Sequence, residues 1–152
     1  QIQTSYGDIE VNLFDQTAPK TVENFLSYIN EQAYDNSVIH RSISGFISQG
    51  GGYYFNNEDA LVEITEKATV INEPIYSNVR GTIAMAKLSG QPNSATSQWF
   101  ISMESHKLRN IALKAIDKIF CISSFVLGAV LKPTTKEELE LLLTNPLRVF
   151  MG

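Results

Sequence analysis

Ile2 and Thr4, then Ile9, Val11 and Leu13, alternate with polar neighbours at the start of the chain. A period of two puts one face of each stretch in a core and the other in water. Two half-buried antiparallel strands are therefore predicted, joined at Ser5-Tyr6-Gly7-Asp8. The period then changes. Ala18, Val22, Phe25, Leu26 and Ile29 fall on one stripe of a helix. Thr17 is placed to cap that helix, Pro19 suits its first turn, and it should stop between Asn30 and Ala33. Val38, His40 and Ile43 predict a strand that leads to Gly50-Gly51-Gly52, a tight or flexible turn. Residues 53–69 are weakly patterned and read as loop with one short strand. Val79 to Lys87 reads as a strand with a glycine near its start. Leu88 to Ser97 is rich in turn formers, and Gln98 to Ser102 is short and strongly β-prone.

Further along, apolar residues at 108, 111, 112, 115, 116 and 119 give Lys107–Phe120 helical spacing, and Phe125–Leu131 reads as a buried strand. Thr135-Lys136-Glu137-Glu138 matches a capping box, with acids where the helix dipole favours them. Leu139, Leu142 and Leu143 continue that helix until Asn145-Pro146 ends it, and Leu147–Phe150 is a last short strand. There is no internal repeat and no linker, so residues 1–152 are expected to form a single domain. Many short strands with helices far apart in sequence predict a mainly β fold, a closed or nearly closed antiparallel sheet with helices packed at its ends.

Composition narrows the function classes. The 152 residues are 43% hydrophobic and 18% charged, with a net charge of −4. Nucleic acid is an unexpected partner, because binding phosphates needs a basic face. The longest apolar run, Ile119–Leu131, is broken by Ser123, Ser124 and Gly128 and is too short to span a bilayer, so no membrane partner is expected. Two histidines and one cysteine, far apart, match no metal-ligand spacing. Cys121 is read as a buried apolar residue without a disulfide partner. The chain opens directly on a strand pattern, as though it began inside a domain, so the lack of a leader leaves the compartment open between cytoplasm and periplasm.

The candidate chemistry lies in His40-Arg41-Ser42-Ile43-Ser44-Gly45-Phe46-Ile47-Ser48-Gln49-Gly50-Gly51-Gly52. Arg41 and Gln49 are polar groups in a run that otherwise favours burial, and Ile43, Phe46 and Ile47 supply apolar surface beside them. Fixed polar groups on an apolar floor are the make-up of a small binding pocket. The stretch resembles the central motif of the cyclophilins, His-Arg-Val-Ile-Pro-Gly-Phe-Met-Ile-Gln-Gly-Gly. A second stretch, Asn72 to Ser102, resembles that family's second motif, most plainly in Arg80-Gly81-Thr82-Ile83-Ala84-Met85-Ala86 followed by Ser97-Gln98-Trp99-Phe100-Ile101. Ala18, Pro19, Val22, Asn24 and Phe25 are similar to its first helix. The likeness covers about residues 1–102 and is closest in style to bacterial members.

The resemblance implies an eight-stranded antiparallel β-barrel closed by two helices and a peptidyl-prolyl cis/trans isomerase that needs no cofactor. It implies a catalytic group of Arg41, Phe46 and Gln49. Ile47 and Phe100 would wall the proline pocket, with Gln98 at its rim, and the backbone of Ala86, Lys87 and Leu88 would pair with an extended substrate. Its partners would be proline-containing peptides and unfolded chains, met by a monomer. His40 is expected to be structural and Trp99 to lie in the core. After Ser102 the pattern departs. Residues 104–124 lack the family's Leu-Asp step, Ser124 falls where a pocket histidine is expected, and the loop tryptophan is missing. Cyclosporin is a candidate ligand, and the missing tryptophan, which contacts it in many cyclophilins, counts against it. The departure fits natural divergence or a reading-frame slip. It leaves two other readings beside the enzyme: a catalytically weak proline-peptide-binding module of the same fold, and an unstable fragment.

Overall fold

The computed structural model describes residues 1–4, 7–103, 126–132 and 148–151, the last two segments as backbone strands. The fold is mainly β. Its strands are β1 (Ile2–Thr4), β2 (Gly7–Leu13), β3 (Ser37–Val38), β4 (Arg41–Ile43), β5 (Ile47–Gly50) and β6 (Tyr53–Phe55), then β7 (Leu61–Glu63), β8 (Thr82–Met85), β9 (Trp99–Ser102), β10 (Val126–Lys132) and β11 (Arg148–Met151). The one helix among the described residues is α1 (Pro19–Asn30).

The strands form one ladder in the order β4-β5-β9-β8-β10-β2-β1-β11-β3-β6-β7. The first predicted hairpin is present, with Ile2 opposite Ile9 and Thr4 opposite Gly7. Only one residue in two of β2 faces the core: Ile9 is buried, Val11 and Leu13 are half-buried, and Asp8 and Glu10 are exposed. β2 also changes partner along its length. Gly7–Ile9 pair with β1, and Glu10–Leu13 pair with β10, whose register shifts between Val130 and Lys132.

Among the described residues eleven strand segments are present where eight strands were expected, and the ends of the ladder, β4 and β7, do not pair with each other. Ile39-His40 separates β3 from β4, and Gly51-Gly52 separates β5 from β6. The 53–69 stretch holds two strands rather than one, because Tyr53, Tyr54 and Phe55 pair with Glu63, Val62 and Leu61. The Asn56 side chain closes their turn by accepting the Glu58 and Ala60 N–H groups, both at 2.9 Å. With Leu61 exposed, alternation is too weak to reveal that hairpin in sequence. The helices predicted at Lys107–Phe120 and from Thr135, together with Cys121 and Ser124, lie outside the described residues.

α1 buries Thr21, Val22, Asn24, Phe25 and Tyr28, close to the predicted stripe, and ends at Asn30 as expected. Its start differs from expectation. Ala18 is the N-cap and makes no side-chain cap, while Thr17 Oγ1 donates instead to the Phe14 carbonyl at 3.5 Å. The first-turn N–H groups still need acceptors. Glu73 supplies them, accepting from the N–H of Lys20 (3.3 Å) and Thr21 (2.8 Å) and from the Thr21 hydroxyl (2.7 Å). A carboxylate at this end also suits the helix dipole.

The core joins Ile9, Val22, Phe25 and Tyr28 to Ile83, Met85, Trp99 and Ile101. Gly50 and Gly51 make room for the Trp99 indole. A Cβ on Gly51 would meet Ser97 O and Trp99 Cδ1 at 2.7 Å, and the backbone there has φ +73°. Tyr34, stacked on Tyr28, donates its hydroxyl to the Ser97 carbonyl at 2.6 Å, and burial pushes its pKa well above the ordinary tyrosine value.

Candidate active site

Strand register decides which side chains of the central motif share a surface. Arg41 on β4 lies opposite Gln49 on β5, Gln49 opposite Phe100 on β9, and Phe100 opposite Ala84 on β8. Directly opposed residues point to the same side of a sheet. Arg41, Gln49 and Phe100 therefore share one face, with Ile47 two residues from Gln49. Their neighbours Trp99, Ile101, Ile83 and Met85 point the other way, into the core. This accounts for Trp99, which is a core residue as expected. Gly45, at φ +63°, turns the β4–β5 hairpin, where the Phe46 N–H reaches the Ile43 carbonyl.

The polar groups on this face form a relay. Arg41 Nη1 donates to Gln49 Oε1 at 3.4 Å, and Gln49 Nε2 donates to Gln98 Oε1 at 2.7 Å. Gln49 is only 1% exposed, so its amide is held in one orientation by these bonds. Arg41 keeps part of its surface open. Phe46, Ile47 and Phe100 are all buried and belong to the hydrophobic core beside these polar groups.

The Ala86–Leu88 segment joins the same site. The Ala86 N–H donates to the Gln98 carbonyl at 2.8 Å, which ties the segment to the relay. Lys87 turns inward, and its Nζ donates to Asn72 Oδ1 at 3.2 Å. Leu88 is exposed, but its N–H is taken by Ser94 Oγ at 2.7 Å. Two of the three N–H groups expected to meet a substrate are thus satisfied within the chain. Asn72 and Ser94 fix this segment, a role the sequence did not assign them: Ser94 reads there only as a turn former, and Asn72 only as the start of the second stretch.

His40 sits behind the site. Its backbone N–H donates to the Gln49 carbonyl at 3.1 Å, and its ring meets Tyr53 edge-on at 5.2 Å. Burial holds the imidazole below the ordinary histidine range, and the Arg41 charge adds to the effect, while the Val38 backbone and the Gln98 side chain oppose it. The ring packs against Tyr53 and hydrogen-bonds the Gln98 side chain at the end of the relay. The described residues hold no group of three His, Cys, Asp or Glu side chains arranged for a metal ion. None of their helices is long and apolar enough to cross a membrane.

The site thus holds an arginine set by two amides beside a buried phenylalanine, in the order of the two motifs. The profile of the "Cyclophilin type peptidyl-prolyl cis-trans isomerase/CLD" family matches residues 1–133. The chain belongs to the cyclophilin family. The match runs past Ser102, where the motif likeness faded, and takes in β10. Among curated cyclophilins, the chain is 40% identical over 111 residues to peptidyl-prolyl cis-trans isomerase B of Escherichia coli, covering 72% of this chain and 65% of that one. It is 36% identical over 110 residues to a peptidyl-prolyl cis-trans isomerase of Acinetobacter baylyi, covering 72% and 57%. It is 41% identical over 109 residues to peptidyl-prolyl cis-trans isomerase A of Dickeya dadantii, covering 67% and 52%. The matched part therefore spans between about half and two thirds of these relatives. A crystal structure of a Cryptosporidium parvum cyclophilin, determined in the presence of the dipeptide Ala-Pro, has the same fold. Its TM-score is 0.64 at 24% identity, over 99% of this chain and 96% of that one.

Proposed function

We propose that this chain is a peptidyl-prolyl cis/trans isomerase that acts on exposed X-Pro bonds of flexible or unfolded chains. The observation that carries the reading is the Arg41–Gln49–Gln98 relay on the sheet face that also presents Phe100. The X-Pro barrier is about 18–20 kcal/mol, because amide resonance must be broken. As the bond twists, the proline nitrogen becomes pyramidal and regains a lone pair. A guanidinium that donates to that lone pair stabilises the twisted state and leaves the planar ground states alone. Arginine suits the task, since it stays protonated and presents donors in a rigid fork. Gln49 and Gln98 act by positioning it, while Phe46, Ile47 and Phe100 hold the pyrrolidine ring. Ala86, Lys87 and Leu88 align the substrate backbone. Because the Ala86 and Leu88 N–H groups are already bonded, that alignment uses carbonyl groups more than donors.

The finer architecture belongs to the same proposal. If β3 and β4 are one bent strand, and β5 and β6 another, the ladder closes on itself. β2 then leads through β1 and β11 to β3/β4, on through β5/β6, β9 and β8 to β10, and back to β2. That is an eight-stranded barrel with β7 as an added edge. The pairings of β2 with both β1 and β10, and of β4 with β5, support it. α1 and the helix predicted from Thr135 would cap its two ends.

The test is a protease-coupled assay on a tetrapeptide with one Ala-Pro bond, with Arg41→Ala as the control. Wild-type turnover far above that of Arg41→Ala is the expected result. Equal rates would remove the enzyme reading, and peptide binding without turnover would establish a binding module instead.

A further inference from the structure

The loop between residues 71 and 79 is inside-out. Asn72, Glu73 and Asn78 turn in while Ile71, Ile75 and Val79 turn out, against the usual preference; Tyr76 is part exposed with its ring 4.9 Å from that of Phe14, and Ser77 is exposed. Asn78 is buried. The Asn72 N–H donates to Asn93 Oδ1 at 2.9 Å, and its own Oδ1 accepts from Lys87 Nζ at 3.2 Å. Glu73 is bound to the first turn of α1. With the loop pinned by Asn72 and Glu73, Ile71, Ile75, Tyr76 and Val79 stand 62%, 57%, 41% and 39% exposed. Single exposed apolar residues are ordinary, but four on one anchored loop mark an interaction surface. Ile71 also lines a groove of about 320 Å³ beside α1.

Two of the anchors show where this surface leads. Asn72 is bound to Lys87 and Asn93, which bracket Leu88, itself 44% exposed. The apolar loop is thus continuous with the segment that aligns the substrate backbone. We propose that residues 71–79 form a second contact for the client chain, taking apolar side chains that lie several residues from the prolyl bond. The inference rests on the isomerase reading of the site. An unfolded chain already held at the proline pocket presents its flanking apolar residues at high local concentration, so even a weak second contact raises overall affinity. Eight extended residues reach about 26–29 Å, enough for one chain to touch both surfaces of a domain this size.

The experiment uses the full chain and three fluorescent probes: a tetrapeptide with one Ala-Pro bond, a 20-residue peptide with the same bond and leucine-rich flanks, and its Ser/Gly-flanked counterpart. The triple variant Ile71→Ser, Ile75→Ser, Tyr76→Ser removes the loop's apolar face without touching the proposed catalytic group. Wild type should bind the leucine-flanked peptide about tenfold more tightly than the Ser/Gly one. The variant should lose that difference while keeping tetrapeptide turnover within about twofold and melting cooperatively. Equal affinities in wild type, or an unchanged preference in the variant, overturn the inference. So does sedimentation showing a wild-type dimer that the variant abolishes, since a second copy would then be the occupant. Binding is read without turnover, so a wild type that binds with the expected preference but does not turn over the tetrapeptide supports the second contact and removes only the isomerase reading.

Discussion

Arg41 and its two supporting amides carry different shares of the proposed chemistry. Losing the guanidinium removes the donor itself, whereas losing Gln49 leaves the donor in place and frees its direction. Gln49→Leu should therefore lower kcat/KM by about tenfold to a hundredfold, with the Arg41→Ala loss at the larger end, read by steady-state kinetics on a short peptide. No proton moves in the proposed reaction. kcat/KM should be flat between about pH 7 and 9. Stability should not be flat at lower pH. The His40 pKa is lowered in the folded protein, mainly by burial, so the unfolded chain takes up the proton first. The stability that goes with neutral His40 is complete above about pH 6.5. It drains away as pH falls from there through the folded pKa. Melts between pH 5 and 7 should show a steeper decline for wild type than for His40→Gln. These residues differ in how legible they are. Arg41, Gln49, Gln98 and Phe100 stand inside two recognisable motifs, and the structure brings all four together. Ser94 and Asn72 stand within the second stretch but match none of the family's defining residues, and their roles are defined by what they bond to.

Among the elements, α1 shows most plainly what local reading reaches. Its buried stripe and its end follow from periodicity, because a helix must turn one face to the core wherever it sits. Its cap does not, because the acceptor comes from Glu73, far along the chain. Thr17 had the right chemistry next to the helix and was not used. Glu73→Ala should accordingly cost about 1–2 kcal/mol in urea unfolding, while Thr17→Ala should stay within about 0.5 kcal/mol. The reverse order would return the cap to Thr17. The β6–β7 hairpin was missed for a related reason. Its strands pair Tyr53 with Glu63 and Phe55 with Leu61 near the surface, so hydrophobic alternation is nearly absent.

At the scale of the whole molecule, one core ties the helix to the sheet, and the single tryptophan lies within it. Trp99 fluorescence and far-UV circular dichroism should therefore report the same unfolding midpoint, as expected of a two-state domain. Gly51→Ala should lower that midpoint, since it combines a φ of +73° with Cβ contacts at 2.7 Å to Ser97 O and Trp99 Cδ1. A cost of about 2 kcal/mol or more is expected. The triple glycine read from sequence as a flexible or tight turn thus has a packing reason too. It lets a large indole lie under the strand that carries Gln49, so the core and the site share this stretch. Mainly β character was visible from spacing alone. The division into eleven segments among the described residues was not, because the gap at Ile39-His40 between β3 and β4 changes no hydropathy pattern.

Exchange spectroscopy by NMR reads rotation about the X-Pro bond, the step Arg41 is proposed to accelerate, without a coupled protease. A peptide with one Ala-Pro bond, alone, interconverts over tens to hundreds of seconds and gives no exchange cross-peaks on the spectroscopic timescale. With a small molar fraction of the wild-type chain, cross-peaks between the cis and trans resonances should appear. With the same amount of a folded Arg41→Ala variant they should be absent or at least a hundredfold slower. Cross-peaks of equal intensity from both proteins would contradict the assignment of Arg41. No cross-peaks from a folded wild type would contradict the proposed activity.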